Sequence, residues 1–248
     1  MKLLLLSNST NYKESYLGWC MPLITDFLKN EKKNILFFPY AGVKVAGKSS
    51  PESYDAYTEK VAEIFFQHGF QVESIHQAKK PAEAVNQADV LMLGGGNTFS
   101  LLHQIHFYGL IKPVRRKVLE GTPFIGWSAG SNMACPSLRT TNDMPIIMPR
   151  NFQCFDFVPF QINPHYIDPH PEEINDAIRH GGETRQDRIN EFLAVNPYIT
   201  VAGLREGTAL WVENDKITLK GNRSLRIMRH EQEAFEIEPN TVFDFAFK

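Results

Sequence analysis

The sequence predicts an α/β protein built on a doubly wound, mostly parallel sheet, and three observations predict it. Short apolar runs alternate with segments whose apolar residues recur at helical spacing through the first half of the chain. The runs are apolar throughout rather than alternating with polar residues, as strands covered on both faces require. Polar or glycine-rich residues stand directly after several runs, at the strand ends where such sheets carry their sites.

Leu3–Leu6 is the first run and ends in Ser7-Asn8-Ser9-Thr10. Tyr16, Cys20, Leu23, Ile24, Phe27 and Leu28 then share one helical face. Ile35–Phe38 is the next strand, closed by Pro39 and Gly42. Tyr54, Tyr57, Val61, Ile64 and Phe65 line a second helix that stops at Gly69, and Phe70–Val72 reads as a strand. Pro81 suits the first turn of a short helix reaching Val85. Val90–Leu93 is a strand running into Gly94-Gly95-Gly96; Phe99, Leu102 and Ile105 form the next helical stripe. Pro113 suits the first turn of a helix bearing Val114 and Val118, and Phe124-Ile125-Gly126-Trp127 is a strand leading into Ser128.

The second half differs. From Met144 to Pro171, proline, asparagine and aromatic residues give the punctuation of loops. A helix is predicted from Pro171 to His180, stopped by Gly181-Gly182, and Thr184 with Asp187 predicts the cap of another through Phe192 and Leu193. Ile199–Leu204, Ala209–Val212, Ile217–Leu219 and Leu225–Met228 are extra C-terminal strands, with a hairpin turn at Asn214-Asp215. No repeat or linker interrupts the 248 residues, so residues 1–248 are expected to form one domain.

Composition narrows the function classes. The chain has 26 Lys plus Arg against 28 Asp plus Glu, with no basic stripe, so no nucleic-acid partner is expected. Leu3–Leu6 is far short of a secretory core of about 7–15 apolar residues or a span of about 20, so a cytoplasmic location and no membrane partner are expected. Cys20, Cys135 and Cys154 are odd in number and lack paired spacing, which argues for reduced thiols and against a disulfide framework or a zinc site.

The sharpest chemical signal is Gly126-Trp127-Ser128-Ala129-Gly130, a G-x-S-x-G pattern directly after an apolar strand. A nucleophile on a tight strand-to-helix turn has strained backbone angles, so its neighbours must be small. The following helix offers free N–H groups, that of Ala129 first, to a developing oxyanion. Gly94-Gly95-Gly96-Asn97 fits neither the dinucleotide nor the Walker spacing, and beside a serine elbow it reads as a second oxyanion donor through Gly95 and Gly96.

A serine needs a base. Of the eight histidines, His68, His76, His103, His106, His180 and His230 lie in helix-like or charged contexts. His165, after Phe160-Gln161-Ile162-Asn163-Pro164, sits in a loop position at a strand end, with His170 as its rival. Asp143, Asp156, Asp168, Glu183 and Glu206 are candidates for the carboxylate that orients the imidazole. Glu206 follows an apolar strand and precedes Gly207, but residue patterns alone leave Glu206 and Asp143 both open. With Glu206 the order is Ser, His, Glu, which differs from the Ser, acid, His order of α/β-hydrolases.

Six segments together carry a resemblance. They are Leu3–Thr10, Gly94–Phe99, Gly126–Asn132, Arg139-Thr140-Thr141-Asn142-Asp143-Met144-Pro145, Gln161–His165 and Gly182-Glu183-Thr184-Arg185, in that order through about residue 212. They resemble the peptidase E family of α-aspartyl dipeptidases. The resemblance implies a serine peptidase that cleaves dipeptides with N-terminal aspartate, without metal or other cofactor. It implies a fold similar to class I glutamine amidotransferases, which is flavodoxin-like. Carried over by motif, Ser128 is the nucleophile, His165 the base and Glu206 the third member, with Asp143 important in a less defined role. Arg185 and Asn97 would hold the substrate aspartate. Arg205 stands where the family often has proline, and 166–180 is longer than in compact members, which bears on substrate range. The alternatives are another aspartyl-directed serine hydrolase, cyanophycinase-like or β-aspartyl, and a non-catalytic anion-binding module. A monomer and a homodimer are both compatible with the sequence.

Overall fold

The computed structural model describes residues 1–29, 34–168 and 183–247. The predicted helix from Pro171 to His180, its Gly181-Gly182 stop and His170 lie outside these residues.

The main sheet begins with β1 (Lys2–Leu6), flanked in space by strands that come later in the chain. β2 (Asn34–Phe38), β3 (Gln71–Ser74), β4 (Val90–Leu93) and β5 (Phe124–Trp127) run parallel to it in the order β1-β5-β4-β2-β3. On the other side β8 (Thr208–Glu213), β9 (Lys216–Gly221) and β12 (Val242–Asp244) extend the sheet antiparallel. The connecting helices are α1 (Met21–Leu28), α2 (Glu52–Gln67), α3 (Pro81–Gln87), α4 (Thr98–Phe107), α5 (Ile111–Leu119) and the four-residue α6 (Ala129–Asn132). The remaining C-terminal strands do not extend this sheet. A second sheet pairs β6 (Gln161–Tyr166) parallel to β7 (Val201–Arg205), and adds β10 (Leu225–Met228) and β11 (Phe235–Ile237) antiparallel, with α7 (Arg185–Val195) between β6 and β7 in sequence.

The double winding follows from side-chain alternation. In β1, Leu3 and Leu5 enter one apolar cluster with α4, α5 and the second sheet, while Leu4 and Leu6 enter another with α1 and α2. Ile35 and Phe37 divide from Leu36 and Phe38 in the same way. All four leucines of β1 are fully buried, each worth roughly 1.5–3 kcal/mol of transfer free energy. The first helix starts later than its apolar face predicts, at Met21, because Leu17 takes a left-handed φ of 59° and Pro22 occupies the first turn. The third strand covers Gln71–Ser74, with Phe70 folded back so that its N–H meets the Phe65 carbonyl. Thr184 and Asp187 close the reciprocal capping box of α7, with Asp in the place usually held by Glu or Gln.

The three cysteines are buried and unpaired, and burial pushes the Cys20 and Cys135 thiols up to about 12. Two glycines set how closely α6 lies on the sheet. A Cβ on Gly126 would stand 2.5 Å from the Gly130 carbonyl, and one on Gly130 would overlap the Leu93 carbonyl of β4. These are backbone atoms, so no rotamer change relieves the clash. Gly130→Ala is therefore expected to cost about 3 kcal/mol, or roughly 6–12 °C in Tm, measured by thermal unfolding against the parent protein.

Candidate active site

Three side chains from three strand ends meet in one hydrogen-bonded line. Ser128, between β5 and α6, has φ 53° and ψ −112°, a conformation that side-chain-bearing residues rarely adopt. Its N–H donates to the Leu6 carbonyl at 3.0 Å. The Ser131 hydroxyl bridges the Leu6 and Gly126 carbonyls at 2.7 and 2.9 Å, locking the first turn of α6 to β1 and β5. The strained turn lifts Ser128 off the sheet edge, where it remains partly accessible.

His165 lies within β6 rather than in the loop expected from the sequence, because β6 runs on through Tyr166. Its φ of 54° coincides with the irregular register between Pro164 and Tyr166 against β7. His165 Nε2 is 2.8 Å from Ser128 Oγ, and Nδ1 is 2.7 Å from Glu206 Oε1. A carboxylate only accepts, so Nδ1 carries the proton and Nε2 presents its lone pair to the serine hydroxyl. Glu206 follows β7 and is followed by Gly207, whose φ of 78° needs glycine.

Asp143, the alternative acid, is engaged elsewhere. Its Oδ2 accepts from the Thr98 N–H at 2.6 Å and the Thr98 hydroxyl at 2.5 Å, so a carboxylate sits on the positive N-terminal end of α4. Asp156 pairs with Arg115, Asp168 with Arg205, and Glu183 with Arg188. His76 bonds Ser74 and Asp55, while His103 and His106 bond the Met148 and Gln153 carbonyls.

The glycine turn lies against the serine: a Cβ on Gly95 would be 3.1 Å from Ser128 Cβ and 2.9 Å from Trp127 Cδ1. Gly96 has φ 129°, and a Cβ there would overlap the Ala41 carbonyl. Among the described residues, no protein acceptor takes the N–H groups of Gly95, Gly96 or Ala129. The Asn97 side chain is used within the protein, capping α4 through Ser100 N at 3.1 Å and donating to the Met144 carbonyl at 2.9 Å. Arg185 donates to the His165 carbonyl, which places its guanidinium beside the line of three. Burial lowers its pKa, and among the described residues no carboxylate ion-pairs with it.

Ser7 and Asn8, at the end of β1, carry a scaffolding role that residue patterns did not single out. The His165 N–H donates to Ser7 Oγ at 2.9 Å, and Ser7 Oγ donates to the Leu204 carbonyl at 2.8 Å. Asn8 Oδ1 accepts from the Gly207 N–H at 2.9 Å. Asn142 adds a bond to the Pro164 carbonyl at 2.7 Å. The signal available in the sequence was positional: polar residues directly after a fully apolar strand.

Arg205 ties together the segments that carry His165 and Glu206. It binds Asp168 through Nε at 2.8 Å and Nη2 at 2.5 Å, and Glu236 through Nη1 at 2.8 Å. Asp168 lies just beyond His165 and Arg205 just before Glu206, so the ion pair crosses between the two chain segments that carry them. The hydrogen bonds from Arg205 hold the Asp168 carboxyl below its usual range, against the opposing effect of burial. A depressed folded-state pKa gives stability that is present above the unfolded value near about 3.9 and is lost as pH falls through the folded value. Asp168 is half-exposed, so Asp168→Asn should cost about 1 kcal/mol or less at neutral pH. Urea unfolding at stepped pH should show the difference between parent and D168N shrinking below about pH 4; a gap that held constant there would rule the pair out.

Comparison with known proteins gives the chain's relatives. The profile of peptidase family S51 matches residues 3–220. A peptidase E from Nostoc sp. is 44% identical over 245 residues, 98% of this chain and 96% of that protein. A peptidase E from Salmonella typhimurium is 42% identical over 243 residues, covering 98% of this chain and all of that one. The crystal structure of a peptidase from an acI-B1 Actinobacterium superposes with a TM-score of 0.65, covering 98% of this chain and 96% of its own at 18% identity, a likeness of fold.

Proposed function

The chain belongs to peptidase family S51, and on that premise we propose that it is a serine dipeptidase hydrolysing Asp-Xaa through Ser128, His165 and Glu206. The observation that carries the reading is the unbroken hydrogen-bonded line from Ser128 Oγ through the imidazole to Glu206. The scissile carbonyl belongs to the N-terminal aspartyl residue. Ser128 Oγ bonds to its carbon while the hydroxyl proton passes to His165 Nε2. Glu206 stabilises the imidazolium formed. The oxyanion is met by N–H groups of Ala129 and the Gly95-Gly96 turn, each worth about 10²–10³ in rate. The C–N bond then breaks, His165 returns the proton to the leaving amine, and water hydrolyses the aspartyl ester by the same route in reverse.

Arg185 supplies the selectivity in this reading. A half-buried guanidinium without an ion-pair partner among the described residues favours a substrate that brings a carboxylate, and Arg binds one through two parallel bonds. Asn97, whose amide nitrogen keeps a second N–H, is the auxiliary contact. An Ala-Xaa substrate would leave the guanidinium desolvated and unpaired, a loss that sites of this kind translate into roughly 10⁴–10⁵ in preference.

The test is an assay of Asp-Leu against Ala-Leu, Asn-Leu, Glu-Leu and β-Asp-Leu with a chelator present. Asp-Leu is expected to be cleaved, and Ser128→Ala to lower kcat by about 10⁴-fold or more. Cleavage of β-Asp-Leu in its place would reassign the linkage, and no hydrolysis at all would leave an anion-binding module. Arg185→Ala should shrink the Asp-Leu over Ala-Leu preference by about 10²-fold or more; an unchanged ratio of kcat/KM values would remove Arg185 from the specificity pocket.

A further inference from the structure

Behind the glycine turn lies a buried polar network that the triad does not use. Tyr57, on the inner face of α2, is 5% exposed. Its hydroxyl is 3.1 Å from Trp127 Nε1, 3.1 Å from the Tyr16 hydroxyl and 3.0 Å from the Gly95 carbonyl oxygen. The donor inventory fixes the direction of each bond. An indole nitrogen only donates and a carbonyl only accepts, so Tyr57 accepts from Trp127 and gives its one proton to Gly95. Tyr16 donates into the remaining lone pair. Burial pushes the Tyr57 phenol up to about 12, so it keeps that proton at neutral pH.

Packing holds the hydroxyl in place. Phe37 meets the Tyr57 ring edge-on at 5.1 Å and stacks on Trp127 at 5.8 Å. Gly94 leaves the necessary room, since a Cβ there would stand 2.7 Å from the Tyr57 oxygen. The first glycine of the turn thus admits Tyr57, the second carries the backbone past Ser128 and the third past Ala41.

The Gly95 carbonyl and the Gly96 N–H belong to one planar trans peptide and point in opposite directions. A turn of glycines resists rotation of that peptide less than any other sequence. Pinning the oxygen on the Tyr57 side therefore decides which way the N–H faces. Trp127, bonded to the same hydroxyl, is the residue immediately before Ser128.

We propose that Tyr57 is a positioning residue for the reaction, its hydroxyl holding the Gly95–Gly96 peptide with the Gly96 N–H turned toward the oxyanion at Ser128. This rests on the serine-peptidase reading above. A donor fixed before reaction costs no reorganisation when the charge develops.

The experiment is the kinetics of Tyr57→Phe with Asp-Leu, with Tyr16→Phe as the control that strips a donor from Tyr57 but leaves the Gly95 bond. Tyr57→Phe is expected to lower kcat by about 10–10²-fold with KM within about threefold, a fraction of the loss of a whole donor. Affinity for an aspartyl aldehyde, which forms a tetrahedral adduct on serine, should fall by the same factor, while affinity for free aspartate holds. Tyr16→Phe should stay within about twofold of the parent in kcat, since the donor to Gly95 is intact. A Tyr57→Phe enzyme with unchanged kcat, equal losses of aldehyde and aspartate affinity, or a Tyr16→Phe loss as large as that of Tyr57→Phe would overturn the proposal. Should Tyr57→Phe not fold, Tyr57→3-fluorotyrosine keeps ring and hydroxyl and alters donor strength; a kcat shift of about twofold or more at unchanged Tm supports the proposal, and an unmoved kcat overturns it. A parent protein that does not hydrolyse Asp-Leu defeats the peptidase reading itself, whereas an active parent matched by Tyr57→Phe defeats this inference alone.

Discussion

The end of β1 is where the two halves of the molecule are joined, and the joint is made of backbone carbonyls and two small polar side chains. The Leu6 carbonyl receives both the Ser128 N–H and the Ser131 hydroxyl. One residue later, Ser7 accepts from the His165 N–H and donates to Leu204. The first pair stabilises a left-handed backbone at Ser128 that on its own costs of order 1–3 kcal/mol. The second fixes the strand that carries the imidazole. Serine and histidine are thus referred to consecutive residues at the end of one buried strand, and their 2.8 Å separation inherits the rigidity of the sheet.

The acid is positioned by the second sheet and by charge. β6 and β7 are parallel neighbours, Tyr166 pairs with Arg205, and His165 and Glu206 flank that pair in sequence. Arg205 adds an ion pair to Asp168 and another to Glu236, which spans β7, the segment after β6, and β11. The residue that precedes Glu206 is thus a buried cation held by two carboxylate partners. Those bonds raise the arginine's pKa further, so it stays charged at every accessible pH.

Much of this was legible in the sequence, and the limits have physical causes. The doubly wound sheet could be read because fully buried parallel strands leave unbroken apolar runs, as at Leu3–Leu6 and Val90–Leu93. The elbow could be read because the backbone leaves no room for a Cβ at Gly126 or Gly130, the two glycines of the pattern around Ser128. The partition of the C-terminal strands between two sheets could not, since β7 and β8 have similar apolar content and differ only in which edge they meet. Telling where Glu206 and Asp143 lie required geometry, because both stand near glycine or loop punctuation and only distance separates the carboxylate beside His165 from the one on the end of α4. Tyr57 read as one apolar position among five on a helical face, because a phenol's hydroxyl leaves no trace in periodicity.

Placing the histidine on one strand and the glutamate just past the end of its parallel neighbour also says which changes of sequence the arrangement can tolerate. The distance between the histidine and the glutamate follows from the pairing of β6 with β7, neighbours spaced by roughly 4.8 Å. Exchanging one apolar side chain for another nearby leaves that pairing untouched. Adding or deleting one residue in β6 before His165 would turn the imidazole to the opposite face of the sheet. Within β6, the alternation of side chains decides which face His165 presents, so the count of residues matters there as well as their identity.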